Sequence, residues 1–221
     1  MDLPAVDYDE AYRLQQDLVA ARHDGSIGKD VALFLEHPPV FTLGRRGGLD
    51  NLTVSQDWLR GKGIRVIQVE RGGDITYHGP GQLILYPIVH LERAGLGVVE
   101  FVGKLEEVMI RTAADWSVPA ERNPLNRGVW VGPRKLGSIG ITVRRGISFH
   151  GLALNVTADL EPFDWINPCG LRGVRMTSLM QETGGPLDGE EVRASVKYHL
   201  KQVFGIELVV TPRPEIEGDK R

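Results

Sequence analysis

A single cysteine, Cys169, and four methionines are all the sulfur in this chain of 221 residues. One thiol builds no intramolecular disulfide and no multi-thiolate zinc site, so a reducing compartment is expected. Basic residues are not in excess either. Lys and Arg number 26 against 29 Asp and Glu, a formal net charge of -3, which argues against a broad nucleic-acid surface built from clustered cations. Long apolar runs are missing too: VALFL and LILYPIV fall far short of the ~20 residues that cross a bilayer. The opening MDLPAVDYDEAYRLQQ is acidic where an export signal needs a basic segment and then an apolar one. These absences lead to the expectation of a soluble, cytoplasmic protein with no membrane or nucleic-acid partner. The histidines (His23, His37, His78, His90, His150, His199) neither pair at i, i+4 nor flank a cysteine cluster, so no metal is expected.

What is present suits one globular domain: 42% hydrophobic and 25% charged residues are enough for a sizeable core. The expected domain is 1–211, with the apolar-poor tail 212–221 expected to be mobile. Asp7 is placed to cap a helix running to about Arg22, with Ala11, Leu14 and Leu18 on one face and Gly25 past its end. VALFLEHPPVFTLG predicts two strands broken at His37-Pro38-Pro39, since proline removes a ladder donor. A short helix after Ser55 and a strand IRVIQVE follow. Arg71 to Gln82 is a glycine-dense loop opening into a buried strand, Gln82 to Pro87. Val102, Leu105, Val108, Met109 and Ala113 mark a long amphipathic helix between Val98 and Trp116. KLGSIGITV and ISFHGLALNV predict a hairpin turning at Arg144-Arg145-Gly146. Asp188 is placed to cap a last helix ending at Gly205, with IELVV as a closing strand. Strands come in runs and do not alternate regularly with helices, which predicts a mixed-sheet α+β or irregular α/β domain.

Three stretches can carry chemistry. Cys169 sits between Pro168 and Gly170 in turn sequence, where a thiol is either a small packing group or a nucleophile presented on a loop. A thiol of pKa ~8.5 is only a few per cent ionised at neutral pH. Lys135 is the candidate cation to raise that fraction, and a solvated strand lysine is the alternative. The glycines of the Arg71–Gln82 loop permit close approach of backbone amides to a carbonyl or carboxylate. The loop lacks the phosphate-binding G-x-x-x-x-G-K-[ST] spacing. His78 and His150 each lie beside a glycine and could orient a substrate or move a proton. Ser138 to Gly140 and Gly151 to Ala153, on the two arms of the hairpin, leave room for a narrow apolar channel.

Taken together, Arg71-Gly72-Gly73 with Thr76-Tyr77-His78, Gly81-Gln82 and Tyr86-Pro87 resemble the signature of the octanoyltransferases of lipoate biosynthesis, relatives of lipoate and biotin protein ligases. Further blocks resemble that family at Arg134-Lys135 through Ser138-Ile139-Gly140, at His150-Gly151-Leu152-Ala153-Leu154-Asn155, at Pro168-Cys169-Gly170 and at Thr177-Ser178-Leu179. The resemblance spans roughly Val31 to Leu179, with Leu171 and Met176 as mild departures. It implies a single α/β (α+β) domain of the biotin/lipoate protein ligase-like fold, with mixed β-sheets flanked by helices. It further implies that Cys169 is the acyl-thioester nucleophile and Lys135 its activating partner. By the same resemblance the acyl group lies against Arg71, Gly72, Gly73, Asp74, Ile75, Thr76, Tyr77 and His78, against Ser138, Ile139 and Gly140, and against His150, Gly151, Leu152 and Ala153. The implied donor is octanoyl-acyl carrier protein. The implied acceptors are lysines on lipoyl domains of 2-oxoacid dehydrogenase complexes and on the glycine cleavage H protein. No cofactor is implied and a monomer is expected. Acidic partners of this kind would dock on Arg144, Arg145, Arg172 and Arg175. An ATP-dependent ligase and a non-catalytic carrier-binding module are the competing functions.

Overall fold

The computed structural model describes residues 1–124, 126–167 and 173–211. The expectations for Cys169, its Pro168-Cys169-Gly170 loop, Leu171, Arg172 and the tail 212–221 lie outside the described residues. β1 (Asp2–Ala5) precedes α1 (Tyr8–Asp24), whose N-cap Asp7 accepts from the amide of Asp9 and whose C-cap is the left-handed Gly25. β2 (Val31–Glu36) and β3 (Val40–Leu43) flank the break at His37, and α2 (Gln56–Gly61) starts at the Ser55 cap. β4 (Arg65–Gln68), β5 (Ile75–His78) and β6 (Gln82–Ile88) lead into α3 (Val98–Asp115). β7 (Glu121–Asn123), β8 (Asn126–Val131), β9 (Arg134–Arg144) and β10 (Ile147–Asn155) follow, and then β11 (Arg175–Met176), α4 (Leu179–Thr183) and α5 (Gly189–Phe204).

Among the described residues these strands form two sheets. The larger has the order β1-β2-β6-β10-β9-β8-β7 with β11 beside β9, and the smaller has the order β4-β3-β5. Both are mixed: β1 runs parallel to β2, β11 to β9 and β4 to β3, whereas the remaining pairs are antiparallel. Alternation along the central strands separates two cores. Leu83, Leu85, Leu152 and Leu154 face α3 and α5, burying Phe101, Leu105, Val108, Met109, Val192 and Val196. Ile84, Tyr86, Ile88 and Ala153 face the other way, onto Leu14 and Leu18 of α1. The smaller sheet has its own core of Phe41, Leu43, Ile75 and Tyr77 against Leu59 and Phe163. The fold is thus the mixed-sheet α/β arrangement that the sequence predicts, with helices on both sides of the larger sheet.

Two expectations are corrected. Ile206 to Val210 form no strand: Val209 and Val210 are 71% and 80% exposed. The ends of the larger sheet are occupied by β1 and β7, and β-branched residues without a partner strand do not hold a ladder. The glycine-dense stretch Arg71–Gln82 is not wholly loop, because Ile75–His78 pair antiparallel with Val40–Leu43.

Candidate active site

Along β10, Leu152 faces Leu85 of β6, so two residues earlier His150 falls opposite Pro87. Proline has no amide to donate into a ladder. The facing strand departs from regular geometry there: His150 takes φ 55, and its amide donates instead to Oε1 of Gln15 on α1, at 2.7 Å. The next residue must be small. A Cβ on Gly151 would lie 1.9 Å from the Leu85 carbonyl oxygen and 2.8 Å from Cδ of Pro87. The ladder closes again through Ser148, whose hydroxyl donates to the Pro87 carbonyl at 2.7 Å and accepts from the Val89 amide at 3.1 Å.

The irregularity borders a narrow cleft on the α1 side of the larger sheet. Counted out to its open mouth the cleft spans about 500 Å³. Ser138 and Gly140 of β9, paired with Ala153 and Gly151 of β10, form its floor. Ile139 and Leu152 border it too, although their side chains pack with the α3 core. Arg71, Gly72, Gly73, Asp74, Ile75, Thr76 and His78 supply a wall. That wall is fixed by main-chain bonds: the Gly72 amide donates to the Ile141 carbonyl, and the amides of Gly44, Arg45 and Arg46 donate to the carbonyls of Asp74, Arg71 and Gly73. Arg71 is buried, its guanidinium donating to the hydroxyl and carbonyl oxygens of Thr42 and to the Gly72 carbonyl. Asp74 accepts from Asn51 at 2.8 Å.

Lys135 and His150 both line the cleft, and the β9–β10 register sets them six strand positions apart, since His150 pairs with Ile141. Lys135 is 1% exposed, donates to Oδ1 of Asn126 and lies 5.4 Å from the centre of the Trp130 ring. Its strand position faces Met176 of β11, and its carbonyl accepts from the amide of Thr177. His78 is buried, donating through Nδ1 to Gln82, which in turn donates to Asn155. Burial and then the neighbouring His37 hold its imidazole well below the ordinary pKa, so it is neutral. Asn155 donates to the Thr177 carbonyl, so one buried chain of amides joins His78 to the residue next to β11.

The structure therefore brings Lys135, His78, His150, the Arg71–Thr76 stretch and the two small-residue segments to one cleft. It does not bring Tyr77 there. That ring points into the smaller sheet's core, 5.2 Å from Phe41 and 5.5 Å from Phe163. Sequence reasoning missed Tyr8, which lines the cleft, and Asn126, which holds Lys135; Tyr86 lines it too, and the sequence marks that residue only through the resemblance at Tyr86-Pro87. Tyr8 reads as an ordinary apolar position of a helix, and nothing in its spacing singles it out. Of the expected docking arginines, Arg144 is engaged with Glu70 at 2.6 Å, while Arg145 and Arg175 are exposed.

A mixed-sheet domain with this cleft defines a class, and comparison with known proteins gives the family. Residues 7–201 match the lipoyl protein ligase A/B catalytic domain, and the chain belongs to that family. It is 52% identical over 212 residues to an octanoyltransferase of Desulfotalea psychrophila, covering 95% of each chain. It is 45% identical over 218 residues to an octanoyltransferase of Syntrophobacter fumaroxidans, covering 99% of this chain and 95% of the other. The fold resembles that of lipoate-protein ligase A bound with ATP, with a TM-score of 0.73 at 16% identity over 96% of this chain and 88% of that one. A bi-partite lipoate protein ligase from Thermoplasma acidophilum superposes with a TM-score of 0.72 at 17% identity, over 96% and 86%.

Proposed function

We propose that the chain is an acyltransferase of lipoyl biosynthesis that carries octanoyl on Cys169 and passes it to a lysine of a lipoyl domain. The observation that carries this reading is Lys135: a buried lysine lining a cleft floored by small residues, on a strand paired with Met176, seven residues beyond Cys169. The relatives named octanoyltransferase favour transfer over ligation.

Ionised Cys169 attacks the thioester carbonyl of octanoyl on the pantetheine arm of acyl carrier protein. The departing pantetheine thiolate takes a proton from the Lys135 ammonium, leaving that amine neutral. The acceptor's neutral lysine amine then attacks the acyl-enzyme. Its proton passes to Lys135 and Cys169 leaves as the thiolate, which restores the starting state. An ammonium ~4 Å from the sulfur is worth about 4 kcal/mol at an effective dielectric near 20, before desolvation opposes it. Thioester to amide is downhill, so no ATP enters. Burying six methylenes contributes roughly 5 kcal/mol to holding a medium chain. Lipoyl domains of 2-oxoacid dehydrogenase complexes and the glycine cleavage H protein are the proposed acceptors, the proposed enzyme acts as a monomer in the cytoplasm, and residues 1–211 form its catalytic domain.

Intact-mass measurement after mixing with octanoyl-carrier is the test. The wild type is expected to gain one octanoyl group, stable until acceptor is added. Cys169→Ser loses transfer, and Lys135→Met slows adduct formation at neutral pH by ~100-fold or more, in line with a base or cation acting at the nucleophile. Retained transfer in Cys169→Ser that requires ATP would establish a ligase. Carrier binding without an adduct in the wild type would establish a binding module.

A further inference from the structure

The end of the cleft away from Lys135 is not built like the blind end of an alkyl pocket. Ala153 faces Ser138, so His150 lies three strand residues, ~10 Å, beyond that floor pair, and Lys135 lies three residues the other way. At the far end His150 is 1% exposed, and neither of its ring nitrogens has a hydrogen-bond partner among the described residues. The ring is stacked against Tyr12 at 5.6 Å and Phe149 at 4.9 Å, and faces Tyr86 edge-on at 6.3 Å. Tyr8 lines the same cleft at 2% exposure, its ring 5.0 Å from that of His37 and stacked at 6.1 Å on that of His78. Its neighbours are spoken for: Tyr86 donates to His37, and His78 is held by Gln82.

Two independent features thus meet at one residue. His150 holds a left-handed backbone conformation that a non-glycine residue adopts only when its surroundings enforce it, and it buries two polar atoms without partners. Buried polar atoms are normally satisfied, and the exceptions concentrate where a ligand completes them. A neutral imidazole offers one donor and one acceptor, and a phenol offers one donor and an acceptor. A hydroxyl group matches that set, because it donates and accepts at once.

We infer that Tyr8 and His150 form a polar subsite at the far end of the acyl cleft, which takes acyl chains bearing a hydroxyl at the end remote from the thioester as well as plain alkyl chains. This rests on the proposed acyl transfer. It extends the substrate class to oxygenated medium-chain acyl groups, the hydroxyl receiving a hydrogen bond from one of the two side chains and giving one to the other.

Competition between octanoyl-carrier and 8-hydroxyoctanoyl-carrier at equal concentration, read as the ratio of the two products on a lipoyl-domain acceptor, tests it. An end without polar partners would disfavour the hydroxylated chain by about tenfold or more, because its hydroxyl would be desolvated without compensation. The wild type is expected to use the two chains within about threefold of each other. Tyr8→Phe and His150→Phe should each lower the ratio of hydroxylated to plain product, and together by about tenfold. A wild type that rejects the hydroxylated chain tenfold, or a ratio untouched by both variants, overturns the subsite. Variants that fail to fold leave the wild-type comparison standing. If the wild type transfers neither chain, the transfer reading fails and the subsite is judged by thermal shift with the free acids. 8-Hydroxyoctanoate stabilising the wild type at least as much as octanoate supports the subsite, and octanoate alone doing so overturns it.

Discussion

Lowering the pH should destabilise this protein through one buried imidazole whose partners are fully on view. His37 follows β2, is fully buried, donates from Nδ1 to the Val6 carbonyl at 2.7 Å and accepts at Nε2 from the Tyr86 hydroxyl at 2.8 Å. That pairing needs the neutral ring, because a proton on Nε2 would meet the Tyr86 O–H and deprive it of its acceptor. Burial pushes the pKa down from 6.5 to about 4, against the smaller opposing pull of the Val6 carbonyl and Asp7. The unfolded chain therefore binds a proton that the folded one refuses. The stabilising share of His37 is complete above pH 6.5 and is lost as pH falls towards 4. The gap between 6.5 and about 4 corresponds to about 3 kcal/mol. His37→Gln keeps one donor and one acceptor and cannot titrate. Urea unfolding of both proteins between pH 7 and pH 4 isolates the effect, since every other titrating group is shared. The wild type should lose about 3 kcal/mol more than the variant across that window. Parallel curves, or a His37 ring that titrates near 6.5 in the native state by NMR, would refute the argument.

Gly151→Ala should cost about 1–3 kcal/mol in urea unfolding, because the new methyl meets strand backbone that must move; an unchanged midpoint would show that β6 yields freely. Asp7→Ala removes the cap of α1 and should cost ~1 kcal/mol at neutral pH. The native Asp7 carboxyl is held below its ordinary pKa by the Asp9 amide and Arg65, against a burial effect of opposite sign. That cost should therefore shrink as pH falls through the carboxylate range, and a pH-independent difference would count against the cap. Asn155→Leu strands Gln82 and the Thr177 carbonyl and should cost about 1–3 kcal/mol, read by thermal or urea unfolding. Arg145→Glu should raise the KM for carrier protein several-fold with kcat little changed, as loss of a rim charge does; an unaltered KM removes Arg145 from the docking face.

The helices were legible because their signals agree. In α1 and α5 apolar spacing, aspartate caps and terminal glycines mark the same boundaries, and in α3 the apolar spacing alone marks the helix, so local preference and packing point one way. β5 was hidden because its four residues sit between glycines, and its identity as a strand comes from pairing with β3 rather than from its own pattern. β1 contains Pro4 and lies at the edge of the sheet, where the missing donor is tolerated. Ile206 to Val210 had the composition of a strand and no strand to lie against. At the cleft, glycine-rich and charged positions stood out in the sequence, whereas Tyr8 did not, because only the tertiary fold turns that ring towards the cleft. Tyr77 carried the same motif as His78, and strand alternation sent it to the opposite face.

The wall over the cleft is strapped on two sides, to β9 through Gly72 and to the β3 turn through Gly44, Arg45 and Arg46. Such a roof does not swing open like a door. For the proposed acyl transfer this means that a guest threads lengthwise, as a rod enters a sleeve, so girth is screened along the whole path. A methyl branch near the middle of an acyl chain should be excluded more severely than the same carbon added at its tip.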